Sequence, residues 1–266
     1  MKLTVLADNY SYINKKLCGE PGFSLYIEDD DEKILFDTGY SDLFLRNAEK
    51  LGIDLSEVTK VVFSHGHDDH TGGLTALIPV LKKGVKIITH PETFSEKLRG
   101  DTQIGSIYRA EDLSEKFEMS LSKTPQKVSN NITFLGEIPS LSSFEMRKQF
   151  DMKVSERGLV PDFVDEDSAI VYEKENGIYI ITGCSHAGIC NICSYAMELF
   201  NKRIIAVFGG LHLKTVDDRL SKTIDFFKKM GIKELYPCHC VSFEVKAAIH
   251  DAIPIGVAGV GLEIEW

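Results

Sequence analysis

The chain has 266 residues, of which 43% are apolar and 26% charged, and this length is enough for one sizeable hydrophobic core. Thirty basic against forty acidic residues give a formal net charge of −10, which argues against a general nucleic-acid-binding surface. No stretch reaches the roughly 18 apolar residues of a membrane helix, and the acidic Asp8 follows a short apolar start. The sequence therefore predicts a cytoplasmic protein that binds neither nucleic acid nor membrane.

Short β-rich runs alternate with helix-length stretches along the chain. The first half predicts strands near 2–7, 23–28, 33–36, 61–64 and 85–89, and helices near 41–50 and 72–81. The second half predicts strands near 168–173, 177–181, 203–207 and 234–236, and helices near 188–200, 215–230 and 242–250. The predicted class is α/β (α+β), a single domain over residues 1–266 with two β-sheets packed face to face and helices outside.

Between these halves, about residues 91–165 show weaker periodicity and more polar residues. A structureless connection of this length is rare in a compact domain, so we expect an inserted cap with short elements of its own. The alternative is a simple surface excursion. Arg147 and Lys148 in this stretch are candidates for contact with an anionic group of a substrate.

The densest cluster of metal-ligand residue types directly follows the apolar run 61–63. It contains three histidines and two aspartates in six positions: His65, His67, Asp68, Asp69 and His70. Imidazole nitrogen together with carboxylate oxygen suits zinc, iron or manganese. In an extended loop His65 and His67 point the same way, whereas Asp69 and His70 belong to the next turn and can face a second ion. The alternative is a solvated loop in which an aspartate caps the next helix.

The pattern His65-x-His67-x-Asp69-His70, followed by Thr-Gly-Gly, resembles the signature of the metallo-β-lactamase superfamily. The segment 35–39 resembles the superfamily's first motif, in which a buried aspartate, here Asp37, braces the metal loop. Segments 182–186, 209–213 and 237–240 are similar to one branch, labelled dihydropterin-related phosphate synthases or metal-dependent hydrolases. The resemblance spans nearly the whole chain and implies a four-layer αββα sandwich with an inserted cap.

The resemblance also implies two divalent metal ions, with zinc favoured over iron or manganese. His65, His67 and a further histidine would bind the first ion, and Asp69, His70 and His239 the second. Aligning residues 179–183 with the strand that ends in the superfamily's bridging aspartate puts Cys184 at the aspartate position. This is a departure from the superfamily's pattern.

Two ligand sets remain open at this corner. In the favoured one His186 completes the first metal and Cys184 lies near or between the ions. In the other, Asp165 is a metal ligand, and His186 does not bind the metal but contacts residues that do. His90 is interpreted as structural, and Cys190 and Cys193 as buried residues of a helix.

The leading functional prediction is a metal-dependent hydrolase, in which a metal-bound hydroxide cleaves an ester, phosphoester or related bond of a small, anionic or phosphorylated molecule. Asp69 would orient the hydroxide. His212 would contact the substrate or give a proton to the leaving oxygen, and a core histidine is the alternative reading for it.

Two other functions stay open. One is a transferase that joins a dihydropterin to an aminobenzene ribosyl phosphate, with Asp8 and Asn9 and an aromatic residue, Tyr108 or Phe144, at the pterin. The other, of a different class, is a metal or redox sensor built on three thiols, those of Cys184, Cys238 and Cys240. The sequence makes no prediction about oligomeric state.

Overall fold

The computed structural model describes residues 1–266. Its strands are β1 (Lys2–Ala7), β2 (Ser24–Asp29), β3 (Glu32–Phe36), β4 (Lys60–Val62), β5 (Lys86–Thr89), β6 (Lys97–Arg99), β7 (Thr102–Gln103), β8 (Glu118–Leu121), β9 (Gln126–Lys127), β10 (Ile132–Phe134), β11 (Asp151–Ser155), β12 (Gly158–Asp162), β13 (Ala169–Lys174), β14 (Gly177–Thr182), β15 (Ile204–Gly209), β16 (Glu234–Pro237) and β17 (Glu263–Glu265). Its α-helices are α1 (Leu43–Leu51), α2 (Asp68–Thr71), α3 (Leu74–Leu77), α4 (Ala110–Ser114), α5 (Ile189–Phe200), α6 (Asp218–Met230) and α7 (Phe243–Ala252), with a 3-10 turn at Leu55–Glu57.

The strands form two large sheets and one small sheet. The first large sheet has the order β17-β1-β2-β3-β4-β5-β8, and the second has the order β16-β15-β14-β13-β10-β9. Strands β3, β4 and β5 are parallel in the first sheet, as are β14, β15 and β16 in the second. Parallel neighbours end at the same sheet edge, so the loops that follow them lie close together.

The two large sheets pack face to face because their strands alternate in the direction of their apolar side chains. In β13, for example, Ile170 and Tyr172 lie in the core between the sheets, whereas Ala169 and Val171 pack toward the outer helices. Helices α5, α6 and α7 cover the outer face of the second sheet, and α1 and α3 cover that of the first. The result is the predicted four-layer αββα arrangement, and the predicted fold class is confirmed.

The helix predicted near 72–81 is shorter in the structure. Within this range the structure has the short α3 and a turn at 78–81, and the single turn α2 lies just before it. Gly72 and Gly73 separate α2 from α3, and Pro79 lacks the N–H that a continuing helix requires. None of the seven helices combines the length and the apolar character of a membrane span.

The stretch predicted as a cap has a more divided structure than the range 91–165 implies. Strands β8, β9 and β10 extend the two large sheets by pairing with their open edges. Only β12-β11-β6-β7 form a separate sheet, hereafter the small sheet. The small sheet is joined to the metal-loop segment by an isolated antiparallel bridge between His67 and Gly105.

Candidate metal centre

The predicted metal ligands and the predicted catalytic His212 follow the carboxyl ends of parallel strands. His65 follows β4 in the first sheet, while Cys184, His212 and His239 follow β14, β15 and β16 in the second. Since the edges of both sheets meet here, side chains distant in sequence come into contact. The structure gathers His65, His67, Asp69, His70, Cys184, His186, His212 and His239 into three overlapping groups whose ligand atoms lie within 4.8 Å of one another.

The first group contains His65, His67 and His186. His65 Nε2 lies 3.0 Å from His67 Nδ1, and the His186 ring centroid is 4.9 Å from that of His65 and 4.8 Å from that of His67. Burial lowers the pKa of all three imidazoles, to about 3 for His67, so the rings are neutral at pH 7. The Nε2 atoms of His67 and His186 are buried without a hydrogen-bond partner. Three neutral imidazoles whose ligand nitrogens lie within 4.8 Å of one another fit a divalent metal ion.

The second group contains Asp69, His70, Cys184 and His239. Three of its atoms surround His70 Nε2: His239 Nε2 at 3.1 Å, Cys184 Sγ at 3.3 Å and Asp69 Oδ1 at 3.8 Å. Burial lowers the pKa of His70, but Asp69 and Asp37 outweigh burial and raise that pKa to about 9. A metal ion at this position therefore competes with a proton. Two imidazoles, a carboxylate and a thiol fit a four-coordinate ion such as zinc.

The Asp37 carboxylate fixes the ring orientation of one histidine in each of these two groups. One of its carboxylate oxygens accepts the Ser64 backbone N–H at 2.7 Å, and the other accepts the Ser64 hydroxyl and His70 Nδ1–H, each at 2.7 Å. The Ser64 hydroxyl in turn lies 2.9 Å from His65 Nδ1. With Nδ1 occupied in both histidines, each Nε2 lone pair faces the centre.

Cys184 belongs both to the second group and to a third one with His186 and His212. Its thiol therefore lies between the two metal groups, at the position that the alignment assigned to it. Burial raises the pKa of this thiol, so loss of its proton requires a neighbouring positive charge such as a metal ion. Its ligand role stays a prediction.

Glycines allow the loops of the second sheet to pack this closely. A Cβ at Gly210 would lie 2.3 Å from the Gly183 carbonyl oxygen and 2.7 Å from Cys240 Sγ. The close approach lets the backbone N–H of His212 donate to Cys240 Sγ at 3.3 Å. The glycine pair before His212 is thus what brings that histidine to the centre.

Backbone strain is concentrated at the same place. Non-glycine residues in the left-handed region include Asp37, Ser185, His212 and His239, with φ between 48° and 63°. Such conformations cost on the order of 1–3 kcal/mol each and persist where surrounding contacts enforce them. At Ser185 one such contact is its hydroxyl, which donates to the Gly210 carbonyl at 2.6 Å.

Asp165 lies outside all three groups. Its carboxylate lies 3.8 Å from the Arg147 guanidinium and 4.0 Å from the Lys153 ammonium. His186, in contrast, lies within the first group, and its loop is held by Asp167, which accepts the Ala187 N–H at 2.8 Å. Of the two ligand sets that the sequence left open, the geometry favours the one with His186.

Several other residues singled out in the sequence lie outside the three donor groups. Arg147 donates to the carbonyls of Ile138 and Val164, so it is not free for an anionic substrate. Asp8 accepts the His239 N–H at 2.8 Å, and Asn9 Oδ1 lies 3.2 Å from His239 Nδ1, so both support a predicted ligand rather than a pterin. The remaining members of this set are Tyr108, which hydrogen-bonds Thr75, His90, which accepts from the Glu92 N–H, and the fully buried Cys190, Cys193 and Cys238.

A cavity of about 340 Å³ opens above both metal groups. Its lining includes His67, Asp69, Cys184, His186 and His212, together with four residues that sequence reasoning missed, Tyr40, Arg99, Phe150 and Lys214. A second cavity of about 400 Å³ shares Phe150, His186 and His212 with the first and contains Phe144, Lys148 and Phe163. The missed residues carry no motif, because they come from strands and loops that only the tertiary fold brings together.

An αββα sandwich with two groups of histidine, aspartate and cysteine side chains at its strand ends defines a metallo-β-lactamase-type fold. The family model described as the metallo-β-lactamase superfamily matches residues 19–200. The chain belongs to that superfamily, and the fold implies binding of divalent metal.

Its relatives place it in the branch that the sequence indicated. A Methanocaldococcus jannaschii protein named 7,8-dihydropterin-6-methyl-4-(beta-D-ribofuranosyl)-aminobenzene-5'-phosphate synthase is 30% identical over 264 residues, which cover 92% of this chain and 89% of the relative. An uncharacterised protein of the same organism is 33% identical over 244 residues, 91% of each chain. The crystal structure of a metal-dependent hydrolase of the β-lactamase superfamily is 30% identical, with a TM-score of 0.85 over 100% of this chain and 99% of that one.

Replacing His186 by Ala should weaken zinc binding by more than the roughly 10–100-fold that loss of an outer-sphere partner costs, because it removes a ligand nitrogen of the first group. Asp165→Ala should leave zinc affinity unchanged, since this carboxylate lies outside the groups. Competition with a chromophoric chelator measures both. If the Asp165 variant lost zinc and the His186 variant kept it, the ligand assignment would be reversed.

Proposed function

We propose that the protein is a metal-dependent hydrolase of small anionic molecules, with a phosphoester or related ester as the bond cleaved. The observation that carries this proposal is the convergence of the two donor groups, with Cys184 between them, beneath a cavity that also contains Arg99 and Lys214. Two bound ions, zinc first among the candidates, would be held by His65, His67 and His186 and by Asp69, His70 and His239. Divalent metal supplies an activated water near neutral pH and neutralises charge on the bond being cleaved.

In this proposal Asp69 orients the attacking water. Its side chain is 30% exposed toward the cavity, while His70 and His239 lie 3.8 and 3.3 Å from its two oxygens. Burial raises its pKa, but His70 and His239 outweigh burial and lower it below the ordinary range. The carboxylate is therefore ionised at neutral pH and can orient a water molecule by accepting a hydrogen bond from it.

In this proposal His212 acts on the leaving group. Its ring lies 4.2 Å, centroid to centroid, from that of His186 and lines both cavities. Its Nδ1 is buried without a hydrogen-bond partner. Because His186 is the third ligand proposed for the first ion, His212 is not needed as a ligand there. Its proposed role is to donate a proton to the leaving oxygen.

The variant His212→Ala should lower turnover by roughly 10²–10⁴-fold, the usual contribution of a general acid, while bound metal stays at the wild-type level. Steady-state assays with metal analysis of the same samples would test this. His250→Ala, which changes an exposed histidine of α7, is the matched control and should have no effect. Loss of metal in the His212 variant would instead show that His212 is a ligand.

The anionic substrate is inferred from the two cations at the cavity. The Arg99 guanidinium lies 5.2 Å from the centre of the Phe150 ring and pairs with Asp151 at 2.8 Å, which fixes its direction. Lys214 lines the same cavity. Charge-assisted hydrogen bonds from such groups to a phosphate are worth about 1.5–3 kcal/mol each.

Arg99→Gln and Lys214→Gln should each raise KM for p-nitrophenyl phosphate by roughly 10–100-fold, which corresponds to one charge-assisted hydrogen bond. The KM for p-nitrophenyl acetate, which has the same leaving group but no charge, should not change. Arg157→Gln alters an exposed arginine in the turn between β11 and β12 and serves as the control. Equal effects on both esters would contradict the anionic substrate.

A transferase is the second candidate, and the pair of cavities favours it. One cavity contains the cations, and the other contains Phe144, Phe150 and Phe163, which offer faces for a planar ring. The two share the wall formed by Phe150, His186 and His212, so two substrates could meet at the metal centre. The relative named as a dihydropterin-linked phosphate synthase is the second support.

One comparison separates the two functions. Protein reconstituted with zinc, manganese or iron is incubated with p-nitrophenyl esters, and separately with a dihydropterin and an aminobenzene ribosyl phosphate. We expect metal-dependent release of p-nitrophenol that is abolished by a chelator. Formation of the condensed product without ester cleavage would contradict the proposed hydrolase function and support the transferase function.

A further inference from the structure

A lysine and two carboxylates are completely buried beneath the metal loop, outside the metal groups. Lys97 at the start of β6, Asp162 at the end of β12 and Glu166 in the following loop each have 0% exposed side chains. Lys97 Nζ lies 2.6 Å from Asp162 Oδ2 and 2.8 Å from Glu166 Oε1. Burying three charges costs several kcal/mol per ion, so a gain in folding stability does not by itself account for this triad.

The triad contacts the peptide between two predicted ligands. The Gly66 backbone N–H donates to Glu166 Oε1 at 3.4 Å, and Gly66 lies between His65 and His67. A Cβ at Gly66 would lie 2.0 Å from the Thr93 carbonyl oxygen and 3.1 Å from Lys97 Cε. The loop therefore lies directly on the triad, and only glycine fits there.

Backbone hydrogen bonds join the same segment to the small sheet. Ser106 N–H donates to the Gly66 carbonyl at 3.0 Å, and Asp68 N–H donates to the Ile104 carbonyl at 2.9 Å. Ile104 N–H in turn donates to the Lys97 carbonyl at 2.9 Å. Hence the segment that follows the Lys97 strand is connected to the metal loop at Gly66 and at Asp68.

We infer that Lys97, Asp162 and Glu166 are positioning residues for the metal loop, which hold the His65–His67 peptide in the geometry that binds the first ion. The inference rests on the proposed metal binding by His65, His67 and His186. Glu166 contacts the loop, and Lys97 holds Glu166 with the help of Asp162. Burial lowers the pKa of Lys97, but Glu166 and Asp162 outweigh burial and raise it, so the lysine is charged.

The test measures zinc affinity of the full-length protein by chelator competition, with thermal unfolding of the metal-free forms recorded alongside. Glu166→Ala removes the acceptor for Gly66 and leaves the Lys97–Asp162 pair intact. It should weaken zinc binding by roughly 10–100-fold, as loss of an outer-sphere partner does. Glu166→Gln keeps an acceptor oxygen at the same position and should recover most of that loss.

Lys153→Met is the matched control for Lys97→Met. Lys153 lies on β11 of the same small sheet, is 13% exposed and pairs with Glu92, but it does not contact the metal loop. We expect Lys97→Met to weaken zinc binding and Lys153→Met to leave it within about twofold, even where both lower thermal stability. If Lys97→Met does not fold, the two Glu166 variants decide the outcome.

Wild-type zinc affinity in Glu166→Ala, or equal losses in Lys97→Met and Lys153→Met, would overturn the inference. Neither result would contradict the proposed hydrolase function. Absence of zinc binding in the wild-type protein would instead remove the metal assignment on which both depend.

Discussion

The carboxylate of Asp37 is the contact on which the rest of the metal centre depends. It accepts hydrogen bonds from the backbone and hydroxyl of Ser64 and from His70 Nδ1, and it is completely buried. Through Ser64 its influence extends to His65, so one side chain sets the ring direction in both donor groups. The second sheet packs against the same point, because a Cβ at Gly183 would lie 2.1 Å from Ser64 Oγ and 2.9 Å from Asp37 Oδ2.

The arrangement of parallel strand ends explains why ligands from both halves of the chain meet. β3 and β4 deliver Asp37 and the histidine loop from the first sheet, and β14, β15 and β16 deliver Cys184, His212 and His239 from the second. The corner occupied by Cys184 has a thiol where the superfamily pattern has a carboxylate. A thiolate ligand at this corner would favour zinc over manganese or magnesium, because it is a softer ligand than a carboxylate.

The small sheet and the loop after it also contact the metal loop. Its Lys97 lies under the metal loop, while Arg99, two residues further on, lines the cavity above it. One short strand thus carries both a residue proposed to position the predicted ligands and a residue proposed to bind the substrate. Phe150, which contacts His67 and His186 and lies beneath Arg99, completes the wall between the two cavities.

The sequence by itself determined the superfamily, the alternation of strands and helices and the densest part of the donor set, since these depend on local spacing and on period-two burial. It placed Cys184 and His239 at strand ends, as the structure does. It left two alternatives for the remaining ligand, because His186 lies within a side chain's reach of the bridging position while Asp165 falls where the alignment expects a histidine. Only the tertiary structure paired Asp165 with Arg147 and Lys153, divided the 91–165 stretch among three sheets and brought Lys97 and Glu166 to Gly66. Those contacts join residues from 12 positions apart, for Lys153 and Asp165, to 100 positions apart, for Gly66 and Glu166. Long-range pairing depends on sheet order and packing, and no local pattern in the chain specifies it.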